Sequence, residues 1–305
     1  MPTHRLAVAA MAGLPLMALI PTAMAQDCDP DQLFAPNVRY DVGILPQDIA
    51  VGDLNRDGTA ALVVTNEETD DISVLIGRGD GTFETQVRFD VGRDPQGVAL
   101  GDLNGDDVPD IVVTNEASQD VSVLLGRGDG TFARQQLYVV GRAPQRVALG
   151  DLNGDGALDV LVTNESDNDA SILLGKGDGT FDTQARVRVG QMPQDVALAD
   201  ANGDGALDAV VSNEGSNDVS VLLGLGDGTF HAQQTFGAGD EPQGVALGDL
   251  NLDVLLDIAV ANDSGGTASV LLGRGGGTFL PPQAFAAGTA PMDIAIADLD
   301  GDDIL

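Results

Sequence analysis

The stretch GDLNGDDVPD at residues 101–110 returns as GDLNGDGALD at 150–159. Its first acidic position recurs at Asp53, Asp102, Asp151, Asp200, Asp249 and Asp298, and each successive pair is 49 residues apart. Equal steps without an insertion mean that one supersecondary unit is repeated, each copy with its own acidic loop. A period of this size points to a propeller, a solenoid or an array.

Around the loop, residues 87–135 and their neighbours hold four short apolar runs: Val87–Val91, Gly97–Leu103, Ile111–Thr114 and Val121–Leu125. They are rich in Val, Ile and Leu and bounded by Gly, Pro, Asn and Asp, which are strand signals. No window carries a useful helical stripe. Four strands in such a unit predict a β-propeller blade. Pro46, Pro95, Pro144, Pro193, Pro242 and Pro291 each open the run before the acidic loop, where a fixed φ costs no ladder bond. Gln follows each of them except the last, which Met292 follows.

Two more motifs keep the phase. Asn66-Glu67, Asn115-Glu116, Asn164-Glu165, Asn213-Glu214 and Asn262-Asp263 separate the second and third runs and read as tight turns, because Asn tolerates left-handed backbone. Gly-x-Gly-Asp-Gly-Thr-Phe follows the third run in the first four units. Its Asp-Gly suits a hairpin with positive φ. Phe83, Phe132, Phe181, Phe230 and Phe279 are then core plugs between blades, since a small sheet cannot bury its apolar face alone.

The acidic loop reads Asp-Leu-Asn-Gly-Asp-Gly-x-x-Asp. Oxygen donors at positions 1, 3 and 5 converge when such a loop curls; Gly at 6 permits the turn, and a carbonyl at 7 and Asp at 9 complete the set. Mixed carboxylate and amide oxygens suit Ca²⁺, and the lack of His and Cys argues against Zn²⁺ or copper. An EF-hand is excluded, because position 12 is apolar (Val113, Val162, Val211). The candidate ligands are Asp53, Asn55 and Asp57; Asp102, Asn104, Asp106 and Asp110; Asp151, Asn153, Asp155 and Asp159; Asp200, Asn202, Asp204 and Asp208; and Asp249, Asn251, Asp253 and Asp257. One ion per loop is expected, held best at the complete Asp151 and Asp200 loops. Ala61 removes a carboxylate from the first loop, Asp107 replaces the second loop's Gly, and β-branched Val254 stands at the fifth loop's Gly position. A sixth loop begins at Asp298, Asp300 and Asp302.

These paired motifs resemble the FG-GAP and VCBS-type repeats of bacterial exported proteins and, more distantly, the calcium-bearing blades of the integrin α-chain propeller. The resemblance spans residues 38–305. It implies an all-β, seven-bladed propeller, Ca²⁺ in the acidic loops, and adhesion or recognition at a cell surface. Val38–Gly43 matches Val87–Gly92, so the repeats begin with a fourth, outermost strand. Five units then end at residue 282, and 283–305 supply two strands of the next. About five and a half blades are therefore expected, as part of a six- or seven-bladed ring.

Composition narrows the function. His4 and Arg5, the apolar run Leu6 to Ile20 and the small-x-small site Ala23-Met24-Ala25 read as an export signal over residues 1–25, followed by a linker at 26–37. A secreted, periplasmic or cell-surface location is expected. The formal charge of −34 opposes binding to nucleic acid or anionic lipid, and no later run is long and apolar enough to insert in a membrane. Cys28 is the single cysteine, so no internal disulfide is expected. The expectation is a non-catalytic binding or adhesion module for a protein or glycan ligand. A lectin is the alternative, disfavoured by the absence of Trp and a Tyr count of 2. A propeller lyase or hydrolase ranks lower, since His231 is the one histidine after the leader and no Ser-His-Asp or Cys-His set is available. Arg78-Gly79-Asp80 and Arg127-Gly128-Asp129 spell an adhesion tripeptide, but the turn requires Gly-Asp-Gly and the preceding residue drifts to Lys176 and Leu225.

Overall fold

A strand covered on both faces can be apolar at every position, whereas one with a solvated face must alternate. Both kinds occur in each unit of the computed structural model, which describes residues 38–298. The leader, the linker, Asp300 and Asp302 lie outside the described residues.

Each 49-residue unit forms a four-stranded antiparallel sheet with its strands in chain order. The first unit contains Pro46–Gly52, Ala61–Asn66, Asp71–Leu75 and Val87–Asp90. In the second unit the strands are Pro95–Gly101, Asp110–Asn115, Asp120–Leu124 and Gln136–Val139; in the third they are Pro144–Gly150, Asp159–Asn164, Asp169–Leu173 and Ala185–Arg188. The fourth holds Pro193–Ala199, Asp208–Asn213, Asp218–Leu222 and Gln234–Gly237, and the fifth Pro242–Gly248, Asp257–Asn262, Thr267–Leu271 and Gln283–Ala286. The second strand is buried throughout in units two to five, while fourth strands such as Gln136–Val139 alternate between half-buried and exposed. First strands of neighbouring units lie against one another and surround a common axis. The fold is an all-β propeller of repeated blades.

Apolar cores lie between blades. Leu54, Val63, Ile72 and Val74 of the first unit pack with Val98, Ile111, Val113, Leu124 and Phe132 of the second. Phe132 stands edge-on to Phe89 at 5.2 Å, a pairing repeated by Tyr138–Phe181 and Phe236–Phe279. The expected inter-blade plug is thus observed, with a geometry that ring quadrupoles favour. After the fifth sheet the core thins to Ala259, Ala261 and Ala268 under Ile294.

Polar bridges also join the blades. Buried Thr114 accepts the Gly97 N–H at 2.7 Å and donates to the Gln145 carbonyl of the next blade at 2.6 Å. Thr65, Thr163 and Ser212 bridge their own junctions in the same way. At the fifth junction Ala261 replaces the hydroxyl, and the Gly244 N–H meets the Met292 carbonyl directly at 3.0 Å.

Two expectations need correction. Residues 38–43 form no strand, because no ladder among the described residues is available to pair with them. Tyr40 nevertheless fills the aromatic slot against Phe83 at 5.3 Å. The Asn of Asn-Glu is not a left-handed turn residue: Asn66 and Asn164 are extended and buried at strand ends. The left-handed residue lies four positions on, at Asp70, Gln119, Asn168 and Asn217. Asn115 instead donates to Asp120 at 2.8 Å and Ser122 at 2.9 Å, tying two strands together. Gly92 must be glycine because its chain runs over this Asn; a Cβ there would come within 2.5 Å of Asn115 and Ser118.

Two straps reach between blades near the axis. Asp48 accepts the Val98 N–H and Asp195 the Val245 N–H, each at 2.9 Å. Burial pushes the Asp195 carboxyl up to about 6 against the pull of the Val245 N–H and Arg146, and Asp293 adds to the rise.

Thr114→Val should cost about 2–4 kcal/mol in denaturant unfolding, because it orphans a buried N–H and a buried carbonyl. Asp195 binds its proton more tightly folded than unfolded, so its contribution to stability falls as pH rises from about 4 to about 6. Melting of Asp195→Asn against the parent should therefore favour the variant progressively across that window, by at most about 3 kcal/mol.

Candidate functional site

The acidic loops all lie at one mouth of the propeller, where each first strand ends, and their conformation follows from the left-handed residues they contain. Positions 4 and 6 have positive φ in every described loop: Gly154 and Gly156, Gly203 and Gly205, Gly105 and Asp107, Arg56 and Gly58, Leu252 and Val254. This curl turns successive N–H groups inward onto the carboxylate at position 1. Asp102 accepts from Asn104, Gly105, Asp106 and Asp107 at 2.7–3.2 Å. Asp151, Asp200 and Asp249 repeat the pattern. The Asn oxygen at position 3 accepts from position 5, whose carboxylate accepts the N–H of position 7. Burial opposes the ionised form of Asp102, yet its backbone N–H bonds together hold the carboxyl below its ordinary value.

Position 9 has a double role. Asp110 is fully buried and accepts the Leu103 N–H at 2.9 Å through one oxygen and the Gly126 N–H at 2.7 Å through the other. It fastens the loop to the end of the third strand, as do Asp159, Asp208 and Asp257. Burial pushes all four carboxyls up, and the carboxylates at positions 1 and 5 push Asp110, Asp159 and Asp257 further; Asp204 does so for Asp208. In the first loop Ala61 is buried and offers no such acceptor.

Among the described residues, no three Asp, Glu, His or Cys side chains are grouped as a ready-made metal centre. The donor set in each loop is mixed instead, with carboxylates and an Asn amide oxygen drawn into one curl. At position 1 one carboxylate oxygen already accepts two or three N–H groups, while the other, on Asp102, Asp151 and Asp200, accepts one and keeps a second lone pair. Oxygen-only donors and mutually repelling carboxylates fit a hard divalent cation such as Ca²⁺. Asp298 falls within the described residues, but the remainder of its loop does not.

The first four loops are also tied to the following blade: Gly130, Gly179, Gly228 and Gly277 of the next hairpin donate to the carbonyls of Leu54, Leu103, Leu152 and Ala201. In the hairpins, Asp80 and Asp129 bond their own Thr82 and Thr131, so these carboxylates are committed to the turn. His231 is exposed.

The opposite mouth holds residues to which sequence reasoning gave no role. At the start of each first strand the register slips, so that two residues face one across the ladder, as with Gln96 and Gly97 opposite Thr114. Such bulges re-aim side chains. Here Gln47, Gln96, Gln145, Gln194 and Gln243 converge on an axial cavity of about 90 Å³ with Arg146, Asp195, Met292 and Asp293. The Pro-Gln repeat was the available signal. The residue before each Pro is left-handed without being glycine (Leu45, Asp94, Ala143, Met192, Glu241, Ala290), a strained turn repeated around this mouth.

A model of the FG-GAP-like repeat matches at residues 53–113, 102–162, 151–211, 200–260 and 249–305. No curated protein matches the chain in sequence. Among solved structures, a Lactobacillus plantarum protein is similar with a TM-score of 0.64 and 16% identity, over 83% of this chain and 74% of that one. The periplasmic gluconolactonase of Pseudomonas aeruginosa is similar at 0.59 and 17%, over 82% and 72%. A catalytically inactive virginiamycin B lyase from Staphylococcus aureus, with quinupristin, is similar at 0.56 and 14%, over 84% and 75%. At these identities the likeness concerns the propeller fold alone. With matched repeats running in the same phase as the acidic loops, the chain belongs to the FG-GAP-like repeat family.

Proposed function

We propose that the protein is an exported, Ca²⁺-stabilised propeller that serves as a non-catalytic binding or adhesion module. The observation that carries this reading is the repeated electrostatic conflict in the loops. A buried Asp at position 9 sits in the field of the carboxylates at positions 1 and 5, inside a curl of oxygen donors. A bound cation would relieve that repulsion and cross-link the strand ends the loop already touches. Asp151, Asn153, Asp155 and Asp159, with their equivalents in the second, fourth and fifth loops, would hold it; the first loop would contribute Asp53, Asn55 and Asp57. The cation's contribution is electrostatic cross-linking of the strand ends.

Two of the similar propellers are enzymes by name, so the fold does not decide between catalysis and binding. The binding reading draws on the exposed position of His231, remote from the axial cavity lining. Among the described residues no helix is long and apolar enough to cross a membrane. Export rests on the leader motif, and a protein or glycan partner at a cell surface is the proposed ligand.

Calorimetry of the purified protein in Ca²⁺ and after EDTA tests the metal. Free Ca²⁺ at about 100-fold over Kd should stabilise the fold by about 2.7 kcal/mol for each site filled, and an unchanged melting temperature in EDTA would sink the proposal. Titration should show graded affinity, with the Asp151 and Asp200 loops filling before the Asp53 loop. Val254 is 91% exposed at φ +71°, so its strain is offset by little packing. Val254→Gly should raise stability by up to about 1 kcal/mol and tighten Ca²⁺ at the Asp249 loop, read by melting and by titration.

A further inference from the structure

The axial cavity at the Pro-Gln mouth is built to accept hydrogen bonds. Gln47, Gln145 and Gln194 each donate a side-chain N–H to Glu67, Glu165 and Glu214, Gln145 gives its second to Glu116, and their amide oxygens remain as acceptors. Gln96 and Gln243 are 8% and 9% exposed, and among the described residues their side-chain amides meet no partner. Both line the cavity. Their amides are not sealed in the protein interior but open onto the cavity, where their hydrogen-bonding capacity is free for a ligand.

The charge balance gives the sign of the missing partner. Arg146 is the one cation lining the cavity among the described residues; it faces Asp48 at 3.8 Å and also attracts Asp195. Asp195 and Asp293 remain without a cationic hydrogen-bond partner among the described residues. Asp195 lies within the electrostatic reach of Asp293, and Gly244 beside them lets the Asp293 backbone and carboxylate approach closely, since a Cβ there would lie 2.7 Å from both. Glu116, Glu165 and Glu214 rim the mouth; burial and the other two carboxylates push Glu165 up. A cleft lined by one sign of charge focuses the field and concentrates counter-ions. No three carboxylates are grouped tightly enough for one metal ion among the described residues. The acceptors are dispersed, as suits a ligand with several N–H donors.

We propose that this cavity binds a small organic cation, a primary ammonium or guanidinium group, between Asp195 and Asp293, with the amides of Gln96 and Gln243 as further partners. The group can belong to a free diamine or to a Lys or Arg side chain of a partner protein. The site lies at the opposite mouth from the acidic loops and does not rest on the metal reading.

Isothermal titration of the Ca²⁺-saturated protein tests it, with putrescine, agmatine and a lysine-terminated tripeptide as probes and 1,4-butanediol as the neutral control. The expected result is one cation per chain, no binding of butanediol, and about tenfold weaker binding in Asp195→Asn and in Asp293→Asn. Asp195→Asn should fold, because burial already favours its uncharged form; Gln96→Leu gives a second, uncharged probe of the same pocket. Binding of the tripeptide alone assigns the cation to a partner's side chain, and binding of the diamines assigns it to a free ligand. Binding of none of the three at roughly 10 mM, equal binding of butanediol, or affinity unchanged in all three variants overturns the proposal.

Discussion

The innermost strand of each blade has one edge with no neighbouring strand, and the structure depends on how that edge is satisfied. Peptide groups facing a narrow axis cannot all be left to water, and an unpaired buried N–H or carbonyl costs as much as a lost hydrogen bond. Four hydroxyls answer this, from Thr65, Thr114, Thr163 and Ser212. Each takes an N–H from its own sheet and gives a proton to a carbonyl of the next. A hydroxyl can do both at once, which no apolar residue of similar size can. The bridge works only if the second strand of one unit stays level with the first strand of the next, and a constant 49-residue spacing maintains that register.

The same level fixes the rest of the blade. With the first strands aligned, the second strands stack face to face and become wholly buried in units two to five, and the aromatic at the fourth strand meets the Phe of the following hairpin. The fifth junction shows the dependence by exception. Where Ala261 supplies no hydroxyl, the two backbones close up and bond directly, and the core beneath them is alanine.

Much of this was legible in the sequence because it is local or periodic. Strand positions follow from runs of Val, Ile and Leu, and the strands Val87–Asp90, Pro95–Gly101, Asp110–Asn115 and Asp120–Leu124 fall within two residues of those runs. The curl of the acidic loops follows from Gly at positions 4 and 6. What escaped the sequence depends on partners brought together by folding. Asn115 has a strong local preference for turns, but its amide is claimed by Asp120 and Ser122, and those bonds hold it extended at a strand end. Asp110 reads as a ligand by spacing, and only the structure shows both of its oxygens engaged with backbone N–H groups. The glutamines were visible as a repeat, yet their convergence needs a bulge, which no residue type at those positions announces.

The bonds from Gly130, Gly179, Gly228 and Gly277 back to the preceding loops all run in one sense around the axis. In an array whose units touch only their neighbours, stability propagates through junctions. These junctions are not symmetric: the hairpin tips of the second to fifth blades hang from the loop before them, whereas among the described residues a loop side chain reaches forward at the first junction, where Arg56 donates to the carbonyls of Asp106 and Asp107. Stiffening one loop therefore steadies the blade that follows it as well as the blade it belongs to, which Asp110 and its equivalents already fasten. The propeller has a mechanical direction as well as a chemical one, and a load entering at one blade would be passed on differently clockwise and anticlockwise.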